Sequence, residues 1–116
     1  MSYTASSQSV PSDWGIAYRN VGTVRDFCLT IVDISTLPDK SKYQNFIRQM
    51  MSRADEICLQ DFSMTSGELK KLAETILPIG HKFVPYGTEC QRSVKNLANF
   101  LLRVGESGDQ VIKISP

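Results

Sequence analysis

Apolar residues recur along this chain at spacings of three and four in four separate stretches, and each stretch predicts an amphipathic helix with one buried stripe. The best-formed stripe lies near the C-terminus, where Cys90, Val94, Leu97, Leu101 and Val104 share a face. Thr88 followed by Gln91 reads as a capping box at its start, and Gly105 as its stop. Arg92, Ser93, Lys95, Asn96, Asn99 and Arg103 fill the other faces, more basic and amide groups than a core helix requires.

The remaining stripes set the other helices. Val21, Val24, Cys28, Ile31 and Val32 point inward from a first helix expected over about Asp13 to Leu37, with Gly22 as a point of interruption and Pro38-Asp39 as its end. Tyr43, Phe46, Ile47, Met50, Met51, Ala54, Ile57 and Cys58 define one broad apolar face over about Lys40 to Leu59. Thr65 with Glu68 is a second capping box, opening a third helix that buries Leu69, Leu72, Ala73, Ile76 and Leu77 and stops at Pro78 and Gly80. Residues 1–12 are small, polar and aperiodic, and read as an extended N-terminal arm. Residues 106–116 form a short C-terminal tail in which Val111, Ile112 and Ile114 can pair or pack in extended form. The expectation is an all-α protein: an antiparallel four-helix bundle over residues 13–105, flanked by arm and tail.

Length and composition sharpen this. The 116 residues suit one domain with one core, and 41% hydrophobic with 22% charged residues is ordinary globular composition. No apolar run approaches the roughly 18 residues of a membrane span. The N-terminus lacks a charged region followed by an apolar one, so no signal peptide is expected, and the chain is read as soluble and intracellular. The 3 cysteines, Cys28, Cys58 and Cys90, fall within apolar stripes without metal-ligand spacing, which points to reduced core thiols. The single histidine, His81, has no sequence partner that marks an activated nucleophile. No enzyme, metal or cofactor is expected. A formal charge of +1 excludes bulk electrostatic binding of nucleic acid, so any such role needs a local patch.

An up-down bundle supplies one. The first-to-second link (residues 36–41) and the loop from Pro78 to Gly87 would share an end, gathering Lys40, Lys42, His81, Lys82, Tyr86 and Arg92. Lys42, Lys82 and Arg92 suit phosphate, Ser93 and the helix start add donors, and Phe83 and Tyr86 offer stacking surfaces. Two or three phosphate contacts per chain are weak alone but sum along a polymer.

The opening Met1-Ser2-Tyr3-Thr4, Ser7-Gln8-Ser9-Val10 and Ser12-Asp13-Trp14 resembles that of tobamovirus-type coat proteins. Phe27-Cys28-Leu29, Phe46-Ile47-Arg48-Gln49, and Arg92-Ser93 with Asn96, Leu101 and Gly105 have similar counterparts in matching order. The resemblance touches most of the chain in patches. It implies a capsid protein of a rod-shaped RNA virus, located in the virion and the host cytoplasm, that self-assembles into a helical homopolymer around single-stranded RNA. Arg92 and Ser93 match the family's RNA-facing helix, Lys82 with His81 takes the place of an arginine pair, and Lys42 and Tyr43 sit near a basic position. Tyr3, Trp14, Tyr18, Val111, Ile112 and Ile114 fall outside the main stripes and become the candidate subunit contacts. The chain departs from the family in being shorter, with scant room between Gln60 and Met64 for the family's small sheet. Pro85-Tyr86 replaces the acidic residues before the fourth helix, which leaves a repelling-carboxylate disassembly switch without its residues.

Two other classes compete. A small helical adaptor would bind a partner protein through an exposed groove, without nucleic acid. A thiol enzyme would need a cysteine whose pKa is depressed.

Overall fold

In the computed structural model, which describes residues 2–10, 16–19, 21–52, 55–80 and 87–115, the chain is mixed α/β, not all-α. Four helices, α1 (Val21–Ile34), α2 (Lys40–Met50), α3 (Ser66–Gly80) and α4 (Gly87–Ser107), are joined by a four-stranded antiparallel sheet. Its strands are β1 (Ser2–Ser6), β2 (Ile16–Arg19), β3 (Glu56–Cys58) and β4 (Val111–Ser115), in the order β2-β1-β4-β3.

The N-terminal arm and the C-terminal tail are therefore the two central strands. Thr4, Ala5 and Ser6 pair with Ser115, Ile114 and Lys113, while β1 pairs on its other side with β2 from Ser2↔Arg19 to Ala5↔Ile16. The tail alternates with the strand period of two: Ile112 and Ile114 are buried, and Lys113 and Ser115 are exposed. Tyr3 and Ala5 are buried from β1 in the same way.

Strand pairing also shortens two expected helices. Residues 16–19, assigned to the first helix by its periodicity, extend instead to pair with β1, so α1 begins at Val21. The second apolar stripe does not continue as one helix to Leu59. Helix α2 ends at Met50, and Ile57 reaches the core from β3, opposite Ile112. Ile57 lies seven residues after Met50, two helical turns on, so a buried position there satisfies both readings and the pattern alone could not separate them.

Most positions of the expected stripes are buried: Val21, Val24, Cys28, Ile31 and Val32 on α1; Tyr43, Phe46, Ile47 and Met50 on α2; Leu69, Leu72, Ala73 and Ile76 on α3; Cys90, Val94, Leu97, Leu101 and Val104 on α4. Leu77 and Cys58 are only half-buried, and Ala54 lies outside the described residues. The Phe46 ring meets Phe62 edge-on, with centroids 5.6 Å apart, and ties the 3₁₀ turn at Leu59–Phe62 to α2.

The Thr65–Glu68 capping box forms as read. Thr65 Oγ1 accepts from the Glu68 N–H at 3.1 Å, and Glu68 Oε1 accepts from the Thr65 N–H at 3.0 Å. Three punctuation readings are corrected. Helix α3 runs through Pro78 to Gly80, because a proline in the last turn removes only one backbone donor. Helix α4 already includes Gly87, so Thr88 lies in its first turn and not ahead of it. At the other end α4 passes Gly105, and the left-handed residue after it is Gly108, at φ 81°. Gly105 serves contact with α3 instead: a Cβ there would lie 2.5 Å from Lys70 Cγ and 3.0 Å from the Ser66 carbonyl oxygen.

Candidate nucleic-acid interface

The Lys42 ammonium, in the first turn of α2, lies 2.7 Å from Glu68 Oε2 in the first turn of α3. Those helix starts are therefore side by side. The expected up-down arrangement requires the opposite, the end of α2 beside the start of α3. The far end of α3, at Gly80, lies about 18 Å along the helix from Glu68. Of the described cations, Lys42 lies beside the start of α3 and Arg92 beside Leu77 near its end, so these two do not share one patch.

What remains is unequal. Lys42 is committed to Glu68, whose hydrogen bond raises the Lys42 pKa and holds the Glu68 carboxyl below its usual range. Lys40 donates to the Asp33 carbonyl oxygen at 2.7 Å, closing the end of α1. Tyr43, read as RNA-facing, is 1% exposed and belongs to the core; burial, then the nearby Glu68, pushes its hydroxyl pKa up. Ser93 is also buried and presents no hydroxyl to a surface ligand. Only Arg92 of the described candidates stands exposed on α4. His81 and Lys82, with Phe83 and Tyr86, lie outside the described residues.

Of the expected subunit contacts, Tyr3, Ile112 and Ile114 are buried within the chain's own sheet, because the terminal strands pair with each other. Val111 is half-buried at the start of β4. Trp14 lies outside the described residues; Tyr18 pairs in register with Tyr3, and its side chain lies outside them too.

Lys95 was read only as part of a polar face, yet it stands with Arg92 on one recess. Leu77, Thr88, Gln91, Arg92 and Lys95 line a cavity of about 330 Å³ between α3 and α4, with no carboxylate among them. The sequence carried a signal for this: Arg92 and Lys95 are three residues apart, and Asn99 and Arg103 continue the same line at steps of four. Glu89 occupies the first turn and already answers the positive end of the helix dipole. An anion would thus be met by side chains on the flank of α4 and not by its N-terminus.

Cys28 and Cys90 are buried thiols. Burial, and secondarily Cys90, pushes the Cys28 pKa up to about 12, and burial raises Cys90 as well. Under native alkylation the half-buried Cys58 is expected to react first, with Cys28 and Cys90 labelled only on unfolding. Mass spectrometry of the labelled peptides checks the order; rapid native labelling of Cys28 would contradict it.

Among the described residues no group of three or more His, Cys, Asp or Glu side chains is placed to hold a metal ion. No described helix is long and apolar enough to cross a membrane. Compared with known protein families, characterised proteins and solved structures, the chain finds no match.

Proposed function

We propose that this chain is a structural subunit that polymerises around single-stranded RNA, as a viral coat protein does, and contacts the phosphate chain through the exposed flank of α4. The observation that carries the reading is the recess holding Arg92 and Lys95 beside Thr88, Gln91 and Leu77, with no carboxylate among its described lining residues. Arginine presents a planar fork to phosphate and lysine a point charge, while Leu77 supplies an apolar wall. The resemblance to tobamovirus-type coat proteins supports the same helix as the RNA-facing one. With a formal charge of +1, one subunit would bind weakly, and affinity would come from repetition along a polymer. Subunit contacts on this reading come from surfaces other than Tyr3, Ile112 and Ile114.

The test combines negative-stain microscopy with gel shifts on a single-stranded RNA homopolymer over a range of salt. Rods or filaments are expected, with nuclease-protected RNA inside them. Replacing Arg92 and Lys95 together by Gln should reduce the log-log salt slope by about 1.4, about 0.7 per cation lost on a single strand. Monomers at every pH and salt, or RNA binding whose salt slope the double variant leaves unchanged, would overturn the proposal.

A further inference from the structure

The Asp109 carboxylate, in the turn between α4 and β4, gathers its hydrogen bonds from the segment that follows β1. Ser7 Oγ donates to Oδ2 at 2.7 Å, the Ser9 N–H donates to the same oxygen at 2.7 Å, and Ser9 Oγ donates to Oδ1 at 2.9 Å. That segment is itself folded back: the Ser7 N–H donates to the Val10 carbonyl oxygen at 2.7 Å, and the Val10 N–H donates to Ser7 Oγ at 3.3 Å. Ser7 and Val10 are buried, 7% and 3% exposed. On the opposite side the Asp109 N–H donates to Ser107 Oγ at 3.1 Å, and the Ser107 hydroxyl donates to the Val104 carbonyl oxygen at 2.8 Å. One carboxylate thus joins the end of β1 to the end of α4.

We propose that Asp109 is an acid-released latch: protonating its carboxylate frees residues 7–10 from the α4–β4 turn while the helices and β4 keep their places. The latch does not rest on the RNA reading. An ionised carboxylate accepts all three donors, whereas a protonated one loses part of its accepting capacity and must place a proton of its own among them. Burial pushes this carboxyl up, but hydrogen bonds from Ser7, Ser9 and Ser107 outweigh it and hold it below the ordinary 3.8. A depressed folded-state value means that the contribution is present above the ordinary value and is lost as pH falls through the folded one. Glu56 on β3 and Lys113 on β4, partners in the strand register, line the same recess of about 840 Å³, and Glu106 lies one turn back on α4. Lys113 is the one cation of these three, and among the described residues it forms no ion pair with Asp109.

Hydrogen exchange followed by NMR on the full chain tests this, with protection factors compared between neutral pH and about pH 2.5. The variant Asp109→Asn should reproduce the acid state at neutral pH. Protection of the Ser7 and Val10 amides is expected to fall about tenfold or more. The Leu69 amide, bonded to the Thr65 carbonyl oxygen, and the Ile114 amide, bonded to the Asp55 carbonyl oxygen, should keep theirs. The variant Ser9→Ala removes the donor to Oδ1 while leaving both the carboxylate and the Ser7 Oγ that the Val10 amide uses, and should loosen the same segment without acid. Unchanged protection at Ser7 and Val10 in both variants overturns the latch. So does loss of protection at all four amides together, which would make Asp109 a support of the whole fold.

Discussion

A chain ending at Gln110 is expected not to fold. Strand β4 lies between β1 and β3, so its removal leaves β3 without a partner and β1 paired only with β2. Ile112 and Ile114, 0% and 3% exposed, leave the core with it. Burying such side chains contributes about 1.5–3 kcal/mol each, and the strand hydrogen bonds on both sides are lost in addition. Domains of this size hold about 5–15 kcal/mol in all. Far-UV circular dichroism and an amide NMR spectrum of the truncated chain provide the check. Retention of the full helical signal with dispersed amides would show that the tail is dispensable, as a free appendage of a helical bundle would be.

Replacing Gly105 by Val should be the most damaging single change on the surface between α3 and α4. The position is helical and no positive φ protects it; what matters is space. Its Cβ would meet Lys70 Cγ at 2.5 Å, which a flexible side chain can relieve, and the Ser66 carbonyl oxygen at 3.0 Å, which backbone cannot readily relieve. The two further methyl groups of Val have to be placed against the start of α3, where the Thr65–Glu68 capping box fixes the chain. Overpacking of this kind costs about 1–3 kcal/mol, and a β-branched residue loses rotamer freedom in a helix besides. A fall in Tm of about 5–15 °C is expected by differential scanning calorimetry. An unchanged Tm would mean that the two helices do not approach as closely as Gly105 permits.

These two results bear on the RNA reading differently. The first tests the sheet that displaced the all-helical bundle, and with it the loss of Tyr3, Ile112 and Ile114 as subunit contacts. The second tests the α3–α4 pairing that brings Leu77 beside Arg92 and Lys95 and so shapes the proposed phosphate site.

Much of the fold was legible in the chain. Most positions of the predicted helical stripes are buried, because a 3.6-residue period and the water-avoiding side chains on it are local properties. The Thr65–Glu68 cap was legible for the same reason: both partners lie within one turn. Gly105 was misread because a glycine near a helix end fits either a stop or a close crossing, and only the position of Ser66 and Lys70 separates the two. The candidate site was less legible. Lys42 and Arg92 were both visible as cations, but whether they share a surface depends on how α2 lies against α3. Glu68 had been assigned to its cap alone, and it also holds Lys42.

By itself, then, the sequence determined that four helices form, which faces they bury and that the thiols lie in or beside the core, but not where each helix begins and ends. Tertiary structure alone decided that the N-terminal and C-terminal segments meet as neighbouring strands, that residues 16–19 extend instead of coiling, and that Lys42 and Arg92 lie in different places. The physical reason is range. Helix formation is settled among residues three and four apart, whereas Ala5 finds Ile114, and Ser7 finds Asp109, only after the rest of the core has closed the distance between them.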